Sequence, residues 1–162
     1  MANHAWIFEK PMAPTQDDAE ENWPPRRIVV VGNAGGGKST LARKLAGLLA
    51  IPYHAMDDIQ WAPGWTRVSD EVIAVAHSAW LGEPAWIIDG YGPLAPMIDR
   101  FRKADLIILV DHPFWRHLWW VTKRQFRAYI GPPQPTPPPT PPGCDYRGIY
   151  WSMIWMMWQL HR

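Results

Sequence analysis

Four short apolar runs punctuate the chain, at residues 28–31, 52–56, 86–88 and 106–110, and apolar residues between them recur at helical spacing. The first and last runs are apolar throughout, the pattern of parallel strands covered on both faces. Leu41, Leu45, Leu48 and Leu49 make one predicted helical stripe. Val72, Val75, Ala76, Ala79 and Trp80 make another, with Ser69 as its cap and Asp70 and Glu71 in the first turn, where the helix dipole favours them. Strand and helix patterns alternate, so the predicted class is α/β: three αβα layers around a mainly parallel sheet. No internal repeat is found.

Two segments break the periodicity. Residues 1–25 hold Pro11, Pro14, Pro24, Pro25 and an acidic run from Asp17 to Glu21, and read as an extension outside the domain. Residues 131–143 (GPPQPTPPPTPPG) favour extended polyproline geometry. That stretch is either an inserted stiff lid loop or a ligand for an aromatic groove. A single domain over 26–162 is expected, since 162 residues with 48% apolar content build one core.

The formal charge of +1 gives no global attraction to nucleic acid or to acidic membranes, so an electrostatic partner must be met by a local cluster. One cysteine, Cys144, excludes an internal disulfide and a thiolate metal cluster and fits a reducing compartment. The start of the chain lacks signal-peptide character and no run reaches about 20 apolar residues, so a soluble cytoplasmic protein is expected. The six histidines show no metal-ligand spacing, and none is assigned to chemistry.

Gly32, Asn33, Ala34, Gly35, Gly36, Gly37, Lys38, Ser39 and Thr40 follow a predicted strand and open a predicted helix, in the pattern G-x-x-x-x-G-K-[ST]. Glycines let the backbone curl into a nest whose N–H groups face phosphate oxygens, and the helix adds its positive end. Lys38 is placed to reach the β- and γ-phosphates of ATP, and the Ser39 hydroxyl to ligate Mg²⁺. Asp89, ending the third strand, is the candidate for holding Mg²⁺ through water, its bland alternative being a turn cap in Asp-Gly. Asp57 and Asp58 end the second strand, where alternation points them to opposite faces. Asp57 is the candidate acceptor-side base, unless it caps a turn or pairs with a lid arginine. Asp111 is expected to cap the next helix, with Pro113 in its first turn.

A helix over 113–129 would place Trp115, Leu118, Trp119, Thr122 and Phe126 on a core face and Arg116, Trp120, Lys123, Arg124 and Arg127 on a basic one. Arg124 and Arg127, nearest the Pro-rich loop, are candidate arginine fingers; the alternative is a solvated basic face. Trp61 and Trp65 either stack on a flat acceptor or pack in the core. The C-terminal helix carries Trp151, Trp155 and Trp158 and is apolar nearly all round, so burial is expected, in the core, in a homodimer contact or as an interfacial membrane anchor.

From about residue 28 to the end, the segments GNAGGGKSTLARKL, IPYHAMDDIQWAPGW, WIIDGYG and ADLIILVDHPFWRHLWWVTKR, in that order, resemble the adenylate-kinase-like P-loop proteins of the FlaR, or DNA topology modulation, type. The resemblance implies a nucleoside/shikimate-kinase-like core, an acceptor region after the second strand and an arginine-bearing lid after the fourth. Two departures stand out. Similar proteins read Asp-Gly-Asn-Tyr where this chain has Asp89-Gly90-Tyr91-Gly92, and no fifth strand is seen. The expected activity is ATP-dependent phosphoryl transfer to a small acceptor. The alternative is a nucleotide-dependent DNA-binding regulator, suggested by the family's label and by the basic helix with Trp119 and Trp120.

Overall fold

A computed structural model describes residues 23–130, 141, 143–144 and 150–161. The N-terminal extension, but for residues 23–25, and residues 131–140 of the Pro-rich loop lie outside the described residues. The elements are β1 (Arg27–Gly32), α1 (Lys38–Leu49), β2 (Tyr53–Ala55), α2 (Met56–Gln60), β3 (Trp61–Ala62), β4 (Thr66–Arg67), α3 (Asp70–Leu81), β5 (Trp86–Asp89), α4 (Leu94–Lys103), β6 (Leu106–Val110), α5 (Phe114–Ile130) and α6 (Tyr150–His161).

Four parallel strands lie in the order β2-β5-β1-β6. Each predicted run becomes a strand of this sheet, and the apolar runs of the two central strands, β1 and β5, are buried on both faces. Along β1, Ile28 and Val30 pack against Ala42, Leu45 and Leu49 of α1, while Val29 and Val31 pack against Ile73 and Leu81 of α3 and Phe101 of α4. The three αβα layers follow from that alternation. A third cluster joins Val121 of α5 to Met153 and Met157 of α6, with Ala34 packed on it. Among the described residues, no helix is long and apolar enough to cross a membrane.

Several expected faces shift. On α3 the buried residues are Ile73, His77 and Leu81, while Val72 and Val75 are exposed. A polar histidine in the stripe disguised it. His77 meets Trp80 edge-on, and burial holds its pKa down to about 4, so the ring is neutral at physiological pH. On α1, Leu48 points to solvent and Ala42 takes the core position. β6 is a sheet edge, so Ile107 and Leu109 are exposed despite its apolar run.

α5 differs most. His117, Val121 and Gln125 are its buried residues, and Trp115, Trp119 and Phe126 face outward. Volume explains the choice: α5 lies on the back of the loop after β1, where hypothetical Cβ atoms on Gly35 and Gly36 would stand 2.7 Å from Val121 Cγ2 and 2.8 Å from His117 Cε1. Indoles do not fit in that space. The N–H groups of Arg116 and His117 donate to the Pro113 carbonyl, which makes Pro113, rather than Asp111, the cap residue. α6 buries Met153 and Met157 and exposes Trp151 and Trp155, so it is amphipathic in place though apolar in composition.

Two isoleucine/leucine truncations should separate centre from edge. Ile88→Ala, in fully buried β5, is expected to cost about 2–5 kcal/mol by urea unfolding. Leu109→Ala, 65% exposed, should stay within about 0.5 kcal/mol of the parent chain.

Candidate active site

β1 ends at Gly32, whose φ of 142° and contact with the Val110 carbonyl leave no room for a side chain. The chain then turns through Gly35 (φ 74°) and Gly37 (φ 85°), both left-handed, and α1 begins at Lys38. Each group of the first half of the loop is tied down. Asn33 Nδ2 donates to the Met157 carbonyl of α6 at 2.9 Å, and Asn33 Oδ1 accepts the Ala34 N–H at 2.8 Å. His117 of α5 reaches the Ala34 carbonyl at 2.9 Å, and Lys38 Nζ donates to the Asn33 carbonyl at 2.9 Å.

Above the loop lies an open cavity of about 670 Å³. Gly32, Ala34, Gly35, Gly37, Lys38, Ser39 and Thr40 form its floor; Asn33 and Gly36 are buried behind it. Asp57, Gln60, Trp61 and Trp65 form one wall, Asp89 to Gly92 another, and Trp120, Arg124, Met153 and Met156 a third. The fold thus brings together Lys38, Ser39, Asp57, Asp89 and Arg124. It does not bring Arg127, which is exposed on α5 away from the cavity. Arg124 Nη2 lies 3.3 Å from Met153 Sδ of α6, whereas Arg127, a turn farther along α5, lies past the cavity in solvent.

Asp57 and Asp58 stand in the first turn of α2, not at a strand end, so a helical step rather than strand alternation separates them. Asp57 lines the cavity and Asp58 does not. Asp57 is exposed to the open cleft, yet the cleft walls around it thin its hydration and raise its pKa. Asp89 raises it further, and Lys38 and the Trp61 side chain oppose the rise. Burial lowers the pKa of Lys38, against the pull of Asp89 and Asp57. Trp61 and Trp65 meet edge to face at 5.8 Å on this wall, presented by the small β3–β4 hairpin.

Asp89 is 4% exposed at the end of β5, between Ala55 of β2 and Val30 of β1. Its Oδ2 accepts from the Tyr53 hydroxyl at 3.2 Å, and its buried Oδ1 has no hydrogen-bond partner among the described residues. A spare carboxylate oxygen close to Ser39 suits a hard divalent cation and its water shell. Tyr53 escaped the sequence reading, as did Arg100. The latter is fully buried and donates from Nη2 to the carbonyls of Gly90 and Tyr91 at 2.7 and 2.6 Å. Burial lowers its pKa to about 10, with Asp89 opposing. Nothing in local spacing marks either residue; the topology alone brings them to the site.

No protein-family model and no curated protein sequence matches the chain. Solved structures do. Shikimate kinase from Acinetobacter baumannii, in complex with shikimate, aligns at a TM-score of 0.54 and 16% identity, over 88% of this chain and 79% of that one. A gluconokinase from Sinorhizobium meliloti 1021 aligns at a TM-score of 0.50 and 14% identity, over 84% and 74%. The likeness to topology-modulation proteins therefore rests on its sequence segments alone. At the level of architecture, the parallel sheet, the loop after β1 and these two neighbours establish a P-loop NTPase fold.

Proposed function

We propose that the chain is an ATP-dependent phosphotransferase that moves the γ-phosphoryl group to a hydroxyl of a small acceptor. The carrying observation is that Lys38 of the phosphate nest and the carboxylate Asp57 face one cavity from different walls. The P-loop kinase neighbours support the class and leave the acceptor open. Residues 34–40 cradle the nucleotide phosphates, and Lys38 exchanges its bond to the Asn33 carbonyl for one to phosphate. Ser39 and Asp89 are the residues that would hold Mg²⁺, which when bound neutralises charge on the phosphate oxygens. Asp57 orients the acceptor hydroxyl and takes its proton. As the acceptor oxygen forms its bond to phosphorus, the bond to the β–γ bridging oxygen breaks in line. Arg124, near enough to Lys38 to lower its pKa, is the candidate arginine for the charge on the transferring group.

A second reading, a nucleotide-dependent nucleic-acid binder, draws on the outer face of α5, where Arg116, Lys123 and Arg127 are exposed beside Trp119. Filter binding across a salt series separates the two. Phosphate contacts impose a steep loss of affinity with salt, and weak, salt-insensitive DNA binding removes this reading.

Three substitutions test the kinase assignment. Lys38→Ala should weaken ATP binding with and without Mg²⁺, whereas Asp89→Asn should weaken only the Mg²⁺-dependent part, both measured by calorimetric titration. Equal effects of Asp89→Asn in the two conditions would return Asp89 to a capping role. Asp57→Asn should keep ATP affinity and lose roughly 10²- to 10⁴-fold in turnover, with the melting temperature nearly unchanged. The pH profile carries the same information. A base must be deprotonated, and the Asp57 pKa lies above the ordinary carboxylate value, so kcat/KM should fall on acidification at a higher pH than an unperturbed Asp would give. A profile flat down to the ordinary Asp range would remove Asp57 as base.

A further inference from the structure

We propose that His117 is a positioning residue for phosphate binding, fixing the Ala34–Gly35 peptide so that its N–H faces the cavity. This inference rests on the phosphate-binding role given to the loop above.

A carbonyl oxygen only accepts, so the 2.9 Å contact between His117 Nδ1 and the Ala34 oxygen requires the proton on Nδ1. The peptide bond is planar and trans, so its carbonyl and the following N–H point in opposite directions. With the Ala34 oxygen drawn back toward α5, the Gly35 N–H is aimed forward, and Gly35 lines the cavity floor. A flipped peptide would present an oxygen to the phosphates in place of a donor. Left-handed glycines flip at little cost, and Gly35 (φ 74°) needs an external hold.

Two observations show that α5 supplies that hold. His117 is fully buried, and its ring fills the space behind Gly36, where a Cβ would stand 2.8 Å from Cε1. Val121, one turn on, closes the space behind Gly35. On the other side of Ala34, its N–H is held by Asn33 Oδ1, so both peptides of this residue are pinned. The buried Nε2 has no partner among the described residues, which suits a bare nitrogen better than a second N–H. Burial keeps the ring below its ordinary pKa; His112 and Lys38 push the same way, and the Ala34 bond and Asp111 oppose.

The test compares two variants at the same site. In His117→Asn the amide nitrogen occupies the place of Nδ1 and can still donate; in His117→Leu the donor is gone. ADP affinity should stay within about threefold of the parent in the asparagine variant. It should fall roughly tenfold to a hundredfold in the leucine variant, with adenosine affinity unchanged, because only phosphate reads the Gly35 N–H. Wild-type ADP affinity in a folded leucine variant, or equal losses for ADP and adenosine, would overturn the proposal. If the leucine variant does not fold, ¹⁵N spectra of the imidazoles in the unaltered chain decide. A protonated Nδ1 with a bare Nε2 supports the proposal, and the reverse tautomer overturns it. A parent chain that binds adenosine but no ADP would sink the phosphate-site reading itself, and the tautomer then still reports on His117.

Discussion

A buried strand must become a helix within a few residues, and that constraint organises this molecule. The left-handed glycines make the turn possible and also make it weak, since a backbone with such freedom has no reason to keep one orientation. The remaining structure supplies the reason. β6 lies so close to β1 that only glycine fits at position 32, and α5 presses His117 and Val121 on the outside of the loop. α6 takes the Asn33 side chain through the Met157 carbonyl. The loop's shape is thus imposed from three elements that follow it in sequence by more than seventy residues.

Gathering Asp57, Asp89, Lys38 and Arg124 around one cavity has an electrostatic cost, because burial disfavours each charge singly. The arrangement offsets part of it internally. Asp89 and Asp57 raise the pKa of Lys38 against the larger effect of its burial, and Lys38 lowers that of Asp57 against the cleft walls and Asp89.

The strands and the phosphate loop were legible because their signals are local: a continuous apolar run and a fixed spacing of glycines, lysine and serine. Helical faces were not, and α3 and α5 show why. In both, a histidine occupies a core position, so a stripe read from hydrophobicity slides to its neighbours, Val72 and Val75 in one case and Trp115 and Trp119 in the other. Burial was decided by shape, a ring of the right size behind Gly36, and by a carbonyl needing a donor. Both are tertiary facts. Arg124 and Arg127 were indistinguishable by composition for the same reason, since only the docking of α5 sends one to the cavity and the other to solvent.

Arg100 shows how the departure after Asp89 is tolerated. A side chain holding the turn through side-chain contacts would tie the loop to particular residues, and Tyr91 and Gly92 would then be disruptive. Arg100 instead donates to the backbone carbonyls of Gly90 and Tyr91, which every residue provides. Two short bonds from one nitrogen fix the peptide path, and the positive φ of Gly90 (103°) and Gly92 (86°) lets that path bend beside Met56. The guanidinium is itself buried beneath the loop, and the carboxylate of Asp89 favours its charged form. The carboxylate that ends β5 therefore also steadies the arginine that shapes the loop after it. The turn is thus held through its backbone, while Asp89 stays where the strand end puts it.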